Sequence, residues 1–253
     1  MRVTSRKIHR WLSAVIGIQL LLWALSGLVF SWSPIDQVRG EDKIRLQKET
    51  DLASFPLVDG QALLSNPDCV PTDYIVKQMK LKPMLGRPVF EIMLSGAEIV
   101  YVLVDAVTGE RLSPISSSQA EDIALNDFSE TAEVLKCDYL DKPEGGHSEY
   151  RSKEIPVWRV KLDHPSGTVI YVSANRGEVV ARRNNRWRVF DFFWMLHTMD
   201  YKGRDYFNSW LLRIMSLLGV VSVLVGYWLW FQMKSTKVKK FLNGVYTRRP
   251  NIH

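Results

Sequence analysis

The sequence predicts a membrane protein: two transmembrane α-helices flanking an α+β unit made of two similar halves. Three observations predict it. Trp11 to Ser33 is a run of 23 residues without Asp, Glu, Lys, Arg or His, and Ile214 to Met233 is a second run of 20 without a charge. All 27 Asp and Glu lie between Asp36 and Asp205, whereas the tails hold Arg2, Arg6, Lys7, Arg10, Lys234, Lys237, Lys239, Lys240, Arg248 and Arg249. Between the runs, two strand pairs superpose at one constant offset, the one that carries Val89 onto Val157.

The first run would extend about 35 Å as a helix, enough for a hydrocarbon core of about 30 Å with some tilt. Trp11 and Trp32 mark its ends, as interfacial aromatics do. The rival is a cleavable signal peptide with Ala24-Leu25-Ser26 as its cleavage site. The apolar run continues through Gly27-Leu28-Val29-Phe30, longer than a signal core needs. In the second run, Tyr227, Trp228 and Trp230 sit near the end that Lys234 follows, and the helix cap is expected at Asn208 or Ser209. Basic tails stay cytoplasmic and touch anionic lipid. The expected layout is therefore a bacterial inner-membrane protein with residues 1–10 and 234–253 cytoplasmic, spans at 11–33 and 210–233, and residues 34–209 periplasmic. The positive net charge is then a topology signal; no basic face with stacking aromatics points to nucleic acid.

Beyond Ser33-Pro34 a charged connector (34–56) leads to the first half, 57–115. Val58 to Ser65 reads as helix, Tyr74 to Leu81 as strand, and Lys82 to Pro88 as a turn. Val89 to Leu94 and Ile99 to Asp105 form a strand pair across Ser95-Gly96. In the second half, 116–183, Ser118 to Asn126 reads as a helix capped by Ser117 or Ser118. A polar loop, Asp141 to Ser152, precedes a strand pair at Val157 to Leu162 and Thr168 to Ala174. The offset matches Val89-Phe90 with Val157-Trp158, Ala106 with Ala174, Gly109-Glu110 with Gly177-Glu178, and Cys69 with Cys137. One ungapped offset through glycine and cysteine predicts an internal duplication. In an oxidising compartment the two cysteines are either a disulfide or two independent buried thiols, and their equivalent positions in two side-by-side repeats favour thiols.

Asp105 to Glu110 followed by Ala120-Glu121-Asp122-Ile123-Ala124 resembles a PepSY domain, as do Trp158-Arg159-Val160, Tyr171-Val172 and Gly177-Glu178-Val179-Val180. Arg6-Lys7-Ile8-His9-Arg10-Trp11 and Leu196-His197-Thr198-Met199 resemble the PepSY-associated transmembrane family. The resemblance implies a periplasmic α+β unit of two PepSY-like repeats. Larger members of that family are linked to iron and siderophore uptake, and some are haem-binding ferric reductases with four or more spans. It therefore implies haem b as a cofactor and ferric reductase-like electron transfer. The alternative it leaves is a cofactor-free binding module that regulates or helps assemble a membrane complex or peptidase.

Trp187, Phe190, Trp194, His197 and Tyr201 recur at helical spacing within 186–201, an aromatic helix suited to a membrane interface. His197 is either a hydrogen-bonded helix residue or a haem ligand with Trp194 among the rings lining the macrocycle. His9, among Arg6, Lys7 and Arg10, is the other candidate ligand, and Arg213 with Arg204 the candidate pair for an anionic group such as a propionate. His9 and His197 belong to opposite membrane faces, so bis-histidine ligation would require a homodimer, two His197 side chains meeting at the outer face or two His9 side chains at the inner face. Ser13-x-x-x-Gly17 and Ser222-x-x-x-Gly226 are small-residue pairs expected to let helices approach, within a chain or between two. The partners expected are thus the lipid bilayer, a second copy, and a membrane or periplasmic protein. There is no Walker loop, Gly-x-Gly-x-x-Gly, His-Glu-x-x-His, Gly-x-Ser-x-Gly or Cys-x-x-Cys, so no NAD, flavin or nucleotide site is visible.

Overall fold

The structure, a computed structural model, describes residues 2–246 apart from 48, 146, 147, 152, 153 and 205; side chains of 2–10, 12, 229 and 232–246 are likewise outside the description. It divides into two compact units, Met1–Phe30 with Phe193–His253, and Ser31–Phe192.

In the first unit α1 (Arg2–Trp32) and the C-terminal helix each contain a segment long and apolar enough to cross a membrane, Ser13–Trp32 and Trp210–Trp228. Both charge-free runs are therefore helical. The second helix continues well past the apolar stretch, from Trp210 to Tyr246, and Ser209 caps it by accepting from the Leu212 amide at 3.2 Å. The small-residue pairs do not make the contact within the chain. Gly17 and Gly226 have open space around them, whereas a Cβ on Gly219 would lie 3.6 Å from Leu20 and 3.8 Å from Trp23. Gly219 is where α1 is met.

The second unit holds two antiparallel sheets. After α2 (Ile35–Arg39) and α3 (Gly60–Leu64), the first sheet is β1 (Ile75–Met84), β2 (Arg87–Ser95) and β3 (Ile99–Asp105), in that order. After α4 (Ser117–Asp127), the second is β4 (Glu133–Leu140), β5 (Val157–Asp163), β6 (Val169–Ser173) and β7 (Val179–Arg183). The turn expected from Lys82 to Pro88 shrinks to Leu85-Gly86, both at positive φ (50° and 79°), the geometry of a type I′ hairpin. Its two prolines lie opposite each other, Pro83 against Pro88. The α4 cap is Ser116, one or two residues earlier than expected, with Gln119 completing a capping box.

Side-chain alternation assigns the faces. Phe90, Ile92, Leu94, Val102 and Val104 pack with Leu63 and Cys69 under α3. Their counterparts in the second half, Trp158, Val160, Leu162, Ile170 and Val172, pack against α4. That second cluster also takes in Met84, Val89 and Leu103 from the opposite face of the first sheet, so one core joins both sheets.

The cysteine correspondence is corrected by register. Val76 pairs with Leu94 and Val134 with Leu162, each beside a bulge. Val134 is thus the partner of Val76, and the first strands of the halves follow a shorter offset than the strand pairs after them. Cys137, opposite Val160, answers to Met79, opposite Ile92, while Cys69 lies in the loop before β1. The longer loop between β4 and β5 absorbs the difference. Both thiols are free. Burial, with Glu121 alongside, pushes Cys137 up to about 11.

Candidate functional site

The site forms at the Trp32 end of α1, in the unit that holds the spanning helices. Ile16, Gln19, Trp23, Ser26 and Phe30 follow one another at intervals of three or four residues, which puts them on one helical face. Ile16, Gln19 and Ser26 are buried. Facing them is the last turn of α5 (Asn185–Thr198), which carries His197.

Contacts from α1 hold that histidine. The indole Nε1–H of Trp23 donates to the His197 carbonyl at 2.8 Å, satisfying one of the carbonyls that a helix end leaves open. Ser26 Oγ lies 2.7 Å from His197 Nδ1 and donates to the Trp23 carbonyl at 2.9 Å. Phe30 meets the imidazole edge-on at 5.5 Å between ring centroids. A Ser26 hydroxyl that donates to Trp23 would accept from Nδ1–H, which would leave the lone pair of the ring on Nε2. Nε2 has no hydrogen-bond partner among the described residues.

Beyond His197 the helix stops. Met199 adopts a left-handed conformation (φ 53°), and the Asp200 carboxylate accepts from the amides of Gly203 and Tyr206 at 3.0 and 2.9 Å. Tyr201 therefore falls in a turn, outside the helical stripe in which the spacing placed it. Trp194 joins the cluster through Phe30 at 5.9 Å and Phe207 at 5.4 Å.

Of the five candidate positions, the structure brings His197 and Trp194 together. Arg213 is exposed and lies over the ring of Trp210, 5.4 Å from its centroid. Arg204 is half-buried in the loop, at φ 65°. The His9 side chain lies outside the described residues. Its backbone is part of α1, well over four turns before Ser26 and so about 26 Å along the axis. His9 and His197 cannot share one ligand in one chain. Trp23 and Ser26, which position the imidazole, escape a reading by motif. The signal for them is the polar pair Gln19 and Ser26, which flank Trp23 on one face of an apolar span.

Polar clusters occur in the other unit as well. Lys82 donates to Glu91 at 2.5 Å, to Glu178 at 3.0 Å and to the Arg176 carbonyl at 2.8 Å, while Arg176 reaches Glu91 at 3.3 Å and Glu178 at 2.5 Å. Burial alone would raise Glu91, but hydrogen bonds and charge from Lys82 and Arg176 outweigh it and hold the carboxyl below its usual range. His164 stands between Glu130 (2.6 Å) and Ser166 (2.7 Å), the order of an acid, base and nucleophile. The Ser166 amide also donates to that Nδ1 at 3.2 Å, and Glu130 is taken by Lys43 at 2.7 Å, so the cluster pins the β5–β6 hairpin to the connector. No group of three or more His, Cys, Asp or Glu suited to a metal ion occurs among the described residues.

The family model for the PepSY-associated TM region matches residues 6–251. No curated protein and no solved structure matches the chain. The match takes in both apolar helices, the sheets between them and His197, and by it the chain belongs to the PepSY-associated TM family of membrane proteins.

Proposed function

We propose that the chain is an inner-membrane PepSY protein in which His197 ligates haem b for electron transfer toward ferric iron. The observation that supports this is how the imidazole is held. Ser26 takes Nδ1–H, Trp23 takes the backbone carbonyl, and Nε2 keeps its lone pair. An orienting hydrogen bond on the second ring nitrogen is what an axial histidine needs. Haem, when bound, supplies one-electron chemistry; the residues of this chain bind and orient it. His197 would supply one such nitrogen, and a second copy's His197 across a two-fold axis would supply another. Arg213 would leave the Trp210 ring to pair with a propionate. The basic tails put both termini in the cytoplasm and residues 34–209 in the periplasm.

The second reading is a cofactor-free binding module made of two PepSY-like repeats. It is favoured by the ion cluster of Lys82, Arg176, Glu91, Glu178 and Glu154, whose members are engaged with one another in holding the two sheets together. A reduced-minus-oxidised spectrum of the purified protein separates the two. A haem signal that His197→Ala removes supports the first; a colourless protein that copurifies with a stoichiometric partner supports the second.

A further inference from the structure

A cavity of about 310 Å³ opens where α1 ends and α5 begins, lined by Trp32, Pro34, Val38, Asn185, Arg186 and Val189. Its lining is mainly apolar, and the surface around it is unusual for a face turned to water. Trp32 is 78% exposed, Val189 55%, and Ile35 and Phe192 each 50%. Trp32 is the last residue of an apolar span, the position at which indoles settle among headgroups. Continuity of the chain therefore puts this cavity at the level where acyl chains give way to glycerol and phosphate.

The charge at its rim has the complementary sign. Arg182, Arg188 and Arg151 are paired with carboxylates, those of Asp127, Glu149 and Asp191, and Arg183 donates to the carbonyls of Glu149 and Arg182. Arg186 instead donates to the amide oxygen of Gln37 and has no carboxylate partner among the described residues. An uncompensated guanidinium beside an apolar cavity at headgroup depth matches a phosphate ester with a hydrocarbon tail. Water would leave the apolar lining exposed, whereas an acyl chain covers it.

We infer that this cavity holds one membrane phospholipid, its phosphate on Arg186 and its acyl chain against Val38 and Val189. The site is independent of any haem at His197. The test uses the full chain in detergent with phosphatidylglycerol carrying a photoreactive acyl chain, adducts being mapped by mass spectrometry. One adduct per chain, on the peptides around Trp32 and Val189, is expected. Arg186→Gln should lower its yield roughly tenfold, the loss of one charged hydrogen-bonded contact, with Arg186→Lys intermediate. Val189→Glu should abolish it, and both positions are exposed enough for the fold to survive. Adducts spread evenly along Leu21, Leu217 and the other exposed span residues, unchanged in both variants, would mean bulk annular lipid and overturn the site. So would displacement of the lipid by inorganic phosphate at equal concentration, which would leave the acyl chain without a role.

Discussion

Ser26 Oγ stands 2.7 Å from His197 Nδ1, a bond between the first spanning helix and the far end of α5, and it donates to the Trp23 carbonyl from the same position. One hydroxyl thereby ties the end of α5 to a spanning helix, and by donating to Trp23 it would favour the tautomer with Nδ1 protonated. Such bonds between helices in a bilayer contribute about 0.6–1.7 kcal/mol. Ser26→Ala should therefore cost about 1 kcal/mol in unfolding from detergent. Nitrogen-15 spectra of the His197 ring should show Nδ1 protonated in wild type and a mixture in Ser26→Ala. Should the protein carry haem, Ser26→Ala should weaken its binding about 10- to 100-fold. An unchanged ring spectrum in Ser26→Ala would mean that the tautomer is set elsewhere.

Gly219 is the close-approach point on α1, with Leu20 and Trp23 in van der Waals range of a Cβ. Gly219→Leu forces an overpacked interface, which costs about 1–3 kcal/mol. Gly17→Leu and Gly226→Leu meet open space and should leave the stability of the monomer unchanged. Any effect of those two on crosslinking between chains then reports a dimer contact rather than the pair within the chain.

Gly177 has φ 59°, and a Cβ there would lie 2.5 Å from Met84 Sδ and 3.2 Å from Leu103. Gly177→Ala combines a left-handed backbone with a filled contact between the two sheets, so a loss of about 1–3 kcal/mol from the backbone alone is expected. Gly86→Ala is the control, with φ 79° and nothing within 4 Å of the added carbon. Thermal unfolding should rank Gly177→Ala as the more damaging, and equal losses would show that packing at Met84 contributes nothing.

The parts legible in the sequence are those with one dominant physical signal. A charge-free run of span length has few alternatives, and the strand pairs at β2–β3 and β5–β6 show through buried β-branched runs. β4 shows no such signal, because Glu133, Lys136 and Asp138 interrupt it and it lies at a sheet edge with half its side chains in solvent. The basic C-terminal stretch reads as a tail because of its charge, yet the helix runs on to Tyr246; polar residues do not end a helix. The partners of His197 are out of reach of such a reading, since hydrogen bonds between opposite ends of the chain leave no local pattern. Gln19 and Ser26, a polar pair on one face of an apolar span, are the local sign that this face of α1 is occupied.

Lys82 and Glu91 are a buried charged pair that is costly to break. Both are about nine-tenths buried, and they join strands of the first sheet to Arg176 and Glu178 on the β6–β7 turn. Removing one member of a buried pair costs about 3–5 kcal/mol, because the other is left uncompensated. Lys82→Met should fall in that range, somewhat eased by Arg176, while Lys82→Met with Glu91→Leu should recover most of the loss. The pH dependence has a defined sign. The folded Glu91 carboxyl is held below its usual range, so its contribution is fully present above the unfolded value of about 4.3 and is lost as pH falls through the lower folded value. Denaturant titrations of wild type from about pH 6 downward should therefore lose stability below about pH 4, and the double variant should lose less. Parallel acid limbs in the two proteins would show that Glu91 is not the group being protonated.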